Sequence, residues 1–459
     1  MASSAGARKP FKRTPSSAPL EDTELKRAIS SKMLLLFVIG DVLGAGIYAL
    51  VGVVGGRVGG AIWMAFAAAL ILALITAFAY SELVTKYPRA AGAALYVNKA
   101  FGIHFVTFIV TFAVMASGVA SAATLSRSFG GDYLADFVDL PTIGVAIAFL
   151  LLVAVINARG IAESVKLNVV LTTIELCGLV LVAVIGLAFL ADGGGETSRA
   201  FEIKEGEALI PAVIAGAGLA FYALIGFEDS VNVAEETQKP RDYPLALFGG
   251  ILIAGAIYLV VTIVASMAVP TDKLAGSDGP LLEVVQLGPL AIDTKIFSAI
   301  ALFALANGAL INMIMSSRLL YGMGRADVLP SAFSKLLPSR KTPWVAILFT
   351  TAIAAILVAT GDLSDLADMT VLLLLGVFTL VNLSVLVLRR DPVEHDHFKT
   401  PIVFPIIGAG VSIAVMFTKD GEVFARAGLL LLGGVVLWAV NYAYVHFRSG
   451  EPRPLGPKA

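Results

Sequence analysis

Long apolar segments, separated by short polar ones, fill almost the whole chain after residue 33. A helix needs roughly 20 mainly apolar residues to cross the hydrocarbon layer of a membrane. Twelve segments meet this requirement, and we number them spans 1 to 12. The spans cover residues 33–55, 60–85, 101–128, 141–157, 166–191, 209–236, 244–269, 293–325, 343–360, 365–388, 401–418 and 425–447. The pattern therefore predicts an all-α polytopic membrane protein with twelve transmembrane helices.

The composition agrees with a membrane setting, because 58% of the 459 residues are hydrophobic and only 15% are charged. Soluble domains carry about 25% charged residues. The net charge of −1 gives no reason to expect a nucleic acid partner. The single cysteine, Cys177, cannot form an intrachain disulfide. No spacing of histidine, cysteine and carboxylate residues suggests a metal site, so no metal or other cofactor is expected.

The distribution of basic residues predicts the orientation, since cytoplasmic loops carry an excess of lysine and arginine. If both ends are cytoplasmic, most of the 33 lysines and arginines lie inside. Those left outside are Arg57, Arg127, Arg199, Lys204, Lys273, Lys295, Lys419 and Arg426. We therefore expect a multi-pass protein of the plasma membrane with both termini in the cytoplasm. The polar residues 1–32 are expected to form a disordered tail, and residues 448–459 a second cytosolic tail.

Two spans carry glycines that predict a break in the helix. Span 1 contains Gly44 and Gly46, which weaken a helix and leave its backbone open to a ligand. Close packing through small residues is an alternative explanation for this pair alone. Span 6, five spans later, has Gly226 followed by two adjacent acids. Broken helices at equivalent places in two halves of a chain favour a transporter site built on inverted repeats.

Broken helices offer free backbone groups to a substrate. Amide hydrogens after the first break, around Gly46 and Ile47, suit a carboxylate. Free carbonyls before the second break, in residues 221–224, suit an ammonium group. Such a pair of ends matches the two charges of an α-amino acid. The predicted substrate-binding residues are Gly44, Ala45, Gly46, Ile47, Phe221, Tyr222, Ala223, Ile225 and Ser117; Met115 and Ser121 are further candidates for the pocket wall.

Ionisable side chains inside the membrane are costly and are therefore functional candidates. Asp41, Glu175, Glu228 and Asp229 fall within spans 1, 5 and 6, whereas Glu82 lies near a span end, where a wet interface is the simpler explanation. Apolar residues flank Glu175 on both sides. A carboxyl that takes up and releases protons near pH 7 would serve a proton-coupled carrier. The alternative is a permanently neutral Glu175 that is hydrogen-bonded to a neighbouring helix.

Four motifs, in order, resemble the amino acid–polyamine–organocation permease superfamily. They are Gly44-Ala45-Gly46-Ile47-Tyr48; Ala79-Tyr80-Ser81-Glu82-Leu83 with Tyr87-Pro88-Arg89-Ala90-Ala91-Gly92-Ala93; Ile225-Gly226-Phe227-Glu228 with Ala234-Glu235-Glu236 and Lys239-Pro240; and Ser317-Arg318-Leu319-Leu320-Tyr321 with Arg325, Leu329 and Pro330. The resemblance covers nearly the whole chain after residue 33.

The resemblance implies a leucine-transporter-like fold with a 5+5 inverted-repeat core and two peripheral helices. Repeat one would cover residues 33–191 and repeat two residues 209–388, with residues 401–447 forming the peripheral pair. It also implies alternating access around a site between spans 1, 3, 6 and 8. By this resemblance Ala45 and Gly46 receive the substrate carboxylate, Tyr222 caps the substrate, Ile225 contacts it through its backbone, and Glu228 is linked to gating and proton response.

One position departs from the family pattern. Proton-coupled members often carry a lysine in the middle of span 5, where this chain has Glu175. A carboxylate there could titrate with protons, bind sodium or hold the amine end of a cationic substrate. A hydroxyl expected of a sodium site is absent from span 8 around Gly308 and Ala309. We therefore expect H+ as the coupling ion rather than Na+.

The sequence favours a secondary active amino acid transporter, working by proton-coupled symport or exchange. A polyamine or cationic amino acid carrier is the nearest alternative, because an acidic cavity attracts cations. A sensor that binds amino acids without transporting them is a different class. An intramembrane enzyme or a channel has little support, since the spans show neither a nucleophile–base pair nor a filter segment. The oligomeric state stays open.

Overall fold

A computed structural model describes residues 29–44, 46–89, 92–159, 165–287, 293–326, 328–338, 340 and 342–449. The regular structure in these ranges is helical, with one isolated bridge between Ile29 and Thr237. The α-helices are α1 Ser31–Val42, α2 Gly46–Val58, α3 Ile62–Lys86, α4 Gly92–Phe101, α5 His104–Phe129, α6 Asp132–Ala135, α7 Thr142–Arg159, α8 Val165–Ala191, α9 Leu209–Ala220, α10 Tyr243–Ala268, α11 Thr271–Ala275, α12 Pro280–Gln286, α13 Thr294–Arg325, α14 Trp344–Thr360, α15 Leu363–Leu388, α16 Val403–Met416 and α17 Gly421–Ser449.

The 3-10 helices of the described ranges are short and lie between the long α-helices. They cover Thr197–Phe201, Phe221–Leu224, Asp229–Glu236, Pro240–Asp242 and Ser331–Ser334. The sequence did not predict α4, which follows the end of span 2, or the short helices α11 and α12 between spans 7 and 8. These segments are too short or too polar to stand out in a search for membrane-spanning runs.

The prediction of an all-helical polytopic membrane protein is confirmed. In the described part of the chain, nine helices are long and apolar enough to cross a membrane, and α1 with α2 makes a tenth if the pair is one bent span. The helices at predicted spans 9 and 11, α14 and α16, have only 17 and 14 residues. The number twelve therefore stays a prediction. Large apolar side chains such as Leu348, Ile406 and Leu429 are exposed, as expected of surfaces that face lipid.

The first predicted break is present. Helix α1 ends at Val42, and the N–H of Leu43 donates to the carbonyl of Ile39 at 2.7 Å. Gly44 lies outside both helices, and α2 resumes at Gly46 at an angle of 42° to α1. Ala45 lies outside the described residues.

The second predicted break is also present and is longer than the first. Helix α9 ends at Ala220 and continues as the 3-10 helix Phe221–Leu224. Ile225 is extended, with φ −71° and ψ 151°. Gly226 has φ +125°, in the region that favours glycine. The chain then winds into the 3-10 helix Asp229–Glu236 instead of resuming as an α-helix.

The two breaks contact each other through glycines. A Cβ atom on Gly226 would lie 2.6 Å from the carbonyl oxygen of Asp41, at the end of α1. A Cβ atom on Gly46 would lie 2.7 Å from the Cα atom of Ala223. Because neither position leaves room for a side chain, the two unwound segments pack backbone against backbone.

Glu82 is not at a wet interface, so that expectation was wrong. Only 2% of the residue is exposed. Its carboxylate pairs with Arg389 Nη2 at 3.1 Å and accepts from the N–H of Thr400 at 2.8 Å. A buried carboxylate requires such partners. The ion pair between Glu82 and Arg389 thus connects the end of α3 to the segment that follows α15.

Gly226→Ala should strongly destabilise the protein, because alanine would be strained at φ +125° and would collide with the Asp41 carbonyl. We expect a loss of about 2 kcal/mol or more in unfolding free energy. A thermal melt in detergent measures the effect. Gly410→Ala is the matched control, since a Cβ atom there meets nothing within 4 Å. Equal melting temperatures for the two variants would contradict the strained conformation of Gly226.

Candidate functional site

A cavity of about 130 Å³ lies where the two breaks meet. Its wall comes from the end of α1, the start of α2, the unwound part of span 6 and the start of α4. Residues of α3, α5, α8, α13 and α15 complete it. Its volume is comparable with that of a protein cavity that accepts a ring of six carbon atoms. The site therefore has room for a small organic molecule.

Most of the predicted substrate-binding residues border this cavity. Those that line it are Gly44, Gly46, Tyr222, Ala223, Ile225 and Ser117. Ile47 does not line it, because it is fully buried in the first turn of α2. Phe221 is also fully buried and packs edge to face on Phe378, with ring centres 6.0 Å apart. Ala45 lies outside the described residues. The roles assigned to the lining residues stay predictions.

Several backbone groups of the second break form hydrogen bonds within the unwound segment itself. The N–H of Gly226 donates to Glu228 Oε2 at 2.9 Å, and the N–H of Asp229 donates to the Gly226 carbonyl at 2.8 Å. The Tyr222 carbonyl already accepts from the N–H of Ile225 at 3.3 Å. The Tyr222 carbonyl thus already has one donor, and the binding of an ammonium group by carbonyls of residues 221–224 stays a prediction.

Glu175 lies on α8 with 1% of the residue exposed. Its Oε1 accepts a long hydrogen bond from Asn307 Nδ2 at 3.4 Å, and its Oε2 is buried without a donor among the described residues. The hydroxyl of Tyr48 donates to the Glu175 backbone carbonyl at 2.7 Å, which fixes this turn of α8 against α2. The carboxyl therefore faces the cavity with one oxygen available to a ligand.

Asp41 occupies the last turn of α1 and also lines the cavity. Its Oδ2 is buried and accepts no hydrogen bond from the described residues. Helix α1 approaches α8 closely, because Gly40 packs directly on Thr172. This close packing brings Asp41 and Glu175 to the same cavity.

The described lining of the cavity contains four acidic side chains and no lysine, arginine or histidine. The acids are Asp41, Glu175, Glu228 and Asp229, which are the residues predicted for coupling. Glu228 is buried, whereas Asp41 and Asp229 are partly exposed. Four carboxylates in a poorly solvated space require compensating positive charge, either protons or a cation. The geometry therefore suits a ligand that carries an amine.

Tyr222 closes one side of the cavity. Its hydroxyl lies 2.8 Å from Ser121 Oγ, and this hydrogen bond links the second break to α5. Ser117, one turn earlier on α5, also borders the cavity and donates to the Val114 carbonyl at 2.8 Å.

Sequence reasoning missed several polar residues of the wall. Asn307, Asn312, Thr111, Thr370 and Tyr80 all border the cavity. Asn307 and Asn312 are amides inside an apolar span, and this signal could have been used. Thr111, Thr370 and Tyr80 carry no such signal in the sequence.

The cavity extends toward one end of the helix bundle. Tyr80 near the end of α3, Thr111 near the start of α5 and Leu319 near the end of α13 lie at helix ends that the predicted topology places on the cytosolic side. At the opposite end, Arg57 pairs with the fully buried Asp368 at 2.7 Å, and Lys419 also contacts Asp368. These contacts join the end of α2, the start of α15 and Lys419 at the end that holds Arg57.

Comparison with known proteins finds similarity to transporters and permeases. The chain is 26% identical to the methylthioribose transporter of Bacillus subtilis over 447 residues, which cover 92% of this chain and 95% of that protein. It is 24% identical to the branched-chain amino acid permease BcaP of the same organism over 94% of this chain and 96% of the relative. It is 28% identical to the vacuolar cationic amino acid transporter 4 of Arabidopsis thaliana over 80% of this chain, although the match covers only 64% of the plant protein.

The family model for amino acid permeases matches residues 29–438. This match includes both breaks, the four cavity acids and the helices from α1 to α15. The match spans well over half of the 459 residues, and the chain therefore belongs to the amino acid permease family.

Proposed function

We propose that the protein is a secondary active amino acid transporter that works by alternating access and couples substrate movement to protons. The observation that carries this proposal is the cavity at the two helix breaks, with four carboxyl groups and no basic side chain in its described lining. We further propose that it acts in the plasma membrane with both termini in the cytoplasm, as the distribution of basic residues indicates.

The two ends of an amino acid have different partners in this proposal. The start of α2 at Gly46 presents backbone amides and the positive end of a helix dipole, which favours the substrate carboxylate. Asp41 lies in the last turn of α1, and its Oδ2, which has no partner among the described residues, favours the ammonium group. Tyr222 and Ser117 would then border the remainder of the molecule.

Glu175 is the proposed proton carrier. It is almost fully buried, and its Oε2 lacks a donor among the described residues. Its Oε1 accepts one long hydrogen bond, from Asn307. A carboxyl in this setting can change its protonation state when the cavity gains or loses a cationic ligand. Proton binding and substrate binding at neighbouring carboxyls would thereby be linked.

The acidic lining also supports a second candidate, a carrier of polyamines or cationic amino acids. Cationic amino acid transporters are among the similar proteins, as are a branched-chain amino acid permease and a methylthioribose transporter. Under this alternative, a second amine of the substrate would take the place of a proton at Glu175. Sodium coupling and a sensor without transport activity are further outcomes that uptake measurements distinguish.

The first test is uptake of a labelled amino acid mixture into liposomes that contain the purified protein, with and without an inward proton gradient. Uptake that increases with the gradient supports proton-coupled transport. Uptake that is indifferent to protons would overturn the coupling, and binding without any uptake would identify a sensor.

Glu175→Gln should abolish the stimulation of uptake by a proton gradient while substrate binding stays measurable, because the amide keeps the shape but cannot be protonated. Radiolabel uptake and equilibrium binding on the same preparation measure both properties. Glu205→Gln, at an exposed loop position, is the control and should behave as the unmodified protein. Full gradient-driven uptake by Glu175→Gln would remove Glu175 from the coupling mechanism.

A competition panel separates the two substrate classes. If a single amine is the recognised group, unlabelled alanine should reduce uptake of the labelled substrate at least as well as lysine, arginine or putrescine. If Glu175 holds a second amine, the three dicationic or cationic compounds should compete and alanine should not. Failure of lysine, arginine and putrescine together would exclude the cationic alternative.

A further inference from the structure

The carbonyl of Val42, at the end of α1, needs a hydrogen-bond donor from outside the helix. A helix ends with carbonyl groups that have no partner within the helix, and an unsatisfied carbonyl inside a membrane protein is costly. In a broken transporter helix, such carbonyls are available to bind a coupling cation. Here the hydroxyl of Tyr258 donates to the Val42 carbonyl at 2.6 Å. The end of α1 is therefore capped by the protein itself.

Tyr258 is held rigidly in place. It is fully buried on α10, and its ring packs edge to face on Phe66 of α3 with centres 5.9 Å apart. Helices α10 and α1 also meet closely, because a Cβ atom on Gly250 would lie 2.5 Å from Val38 Cγ1. The phenol thus reaches Val42 from a fixed position.

The position of the end of α1 affects the geometry of both helix breaks. Val42 itself lines the cavity, as does the preceding residue, Asp41, whose Oδ2 has no partner in the part of the chain that the structure describes. The Asp41 carbonyl is also the surface against which Gly226 packs. A shift of the Val42 carbonyl would therefore move the Asp41 carboxyl and disturb the contact between the two breaks.

We infer that Tyr258 is a positioning residue for substrate binding. Its hydroxyl caps the Val42 carbonyl and so fixes the end of α1. The end of α1 in turn holds the Asp41 carboxyl in place, together with the Asp41 carbonyl on which Gly226 packs. The substrate-binding part of this inference rests on the proposed function. Tyr258 itself does not border the cavity, so it acts through Val42 and Asp41 and not by touching the substrate.

Tyr258→Phe tests this inference, because it removes only the hydroxyl and leaves the Val42 carbonyl without its donor. We expect KM for the transported amino acid to rise about tenfold, as for a buried carbonyl left unsatisfied, while the maximal rate changes by less than about twofold. The matched control is Tyr96→Phe, whose hydroxyl is buried without a partner among the described residues. An unchanged KM in Tyr258→Phe, or equal changes in both variants, would overturn the positioning role.

Hydrogen–deuterium exchange provides a readout that does not require transport. Without substrate, the amides of Leu43, Gly44, Gly46 and Ile47 should exchange about tenfold faster in Tyr258→Phe than in Tyr96→Phe. If these rates are equal, the inference fails. Faster exchange in a protein that transports no amino acid would refute the proposed function and leave the capping of α1 intact.

If Tyr258→Phe does not fold, Phe66→Leu offers a milder change, because it keeps the hydroxyl and loosens only the ring that holds it. A smaller rise is expected in KM and in the exchange rates of Leu43, Gly44, Gly46 and Ile47. No change in either quantity would count against the inference.

Discussion

The need to satisfy every backbone polar group inside the membrane governs this structure. Two helices stop within the bundle, so their open ends must find partners in the protein or in a ligand. At the first break the partner is the Tyr258 hydroxyl, and at the second it is the Glu228 carboxylate. Among the described residues that line the cavity, Asp41 Oδ2 and Glu175 Oε2 are buried without a hydrogen-bond partner. Each of these two oxygens can take up a proton or accept a hydrogen bond from a cationic group.

The large features could be predicted from the sequence because they follow from local rules. Apolar length predicted the helices, and the glycines at 44, 46 and 226 predicted the two breaks. Recognition of the amino acid permease family is confirmed by the match over residues 29–438. The count of twelve spans could not be confirmed, because α14 and α16 are shorter than the segments that hydropathy indicated. Apolar residues continue into loops, and hydropathy does not show where winding stops.

The details of the site depend on side-chain direction and on distant contacts, which the sequence does not contain. Ile47 and Phe221 were placed at the cavity because they adjoin the breaks, but the helical turn directs them into the core. Glu82 lies near a helix end and is nevertheless buried, since a loop more than 300 residues later supplies Arg389. The sequence likewise gave no indication that Tyr258 bonds to Val42 or Asn307 to Glu175, because these pairs are distant along the chain. Such pairings are set by how whole helices pack.

The 3-10 winding of Asp229–Glu236 has a consequence for the length of span 6. A 3-10 helix rises about 2.0 Å per residue and an α-helix about 1.5 Å. These eight residues are thus about 4 Å longer than they would be as an α-helix. Rewinding them would shorten the segment between Glu228 and Lys239 by that amount without moving α9. A change between 3-10 and α-helical winding would therefore change the length of span 6 next to the residues that border the cavity.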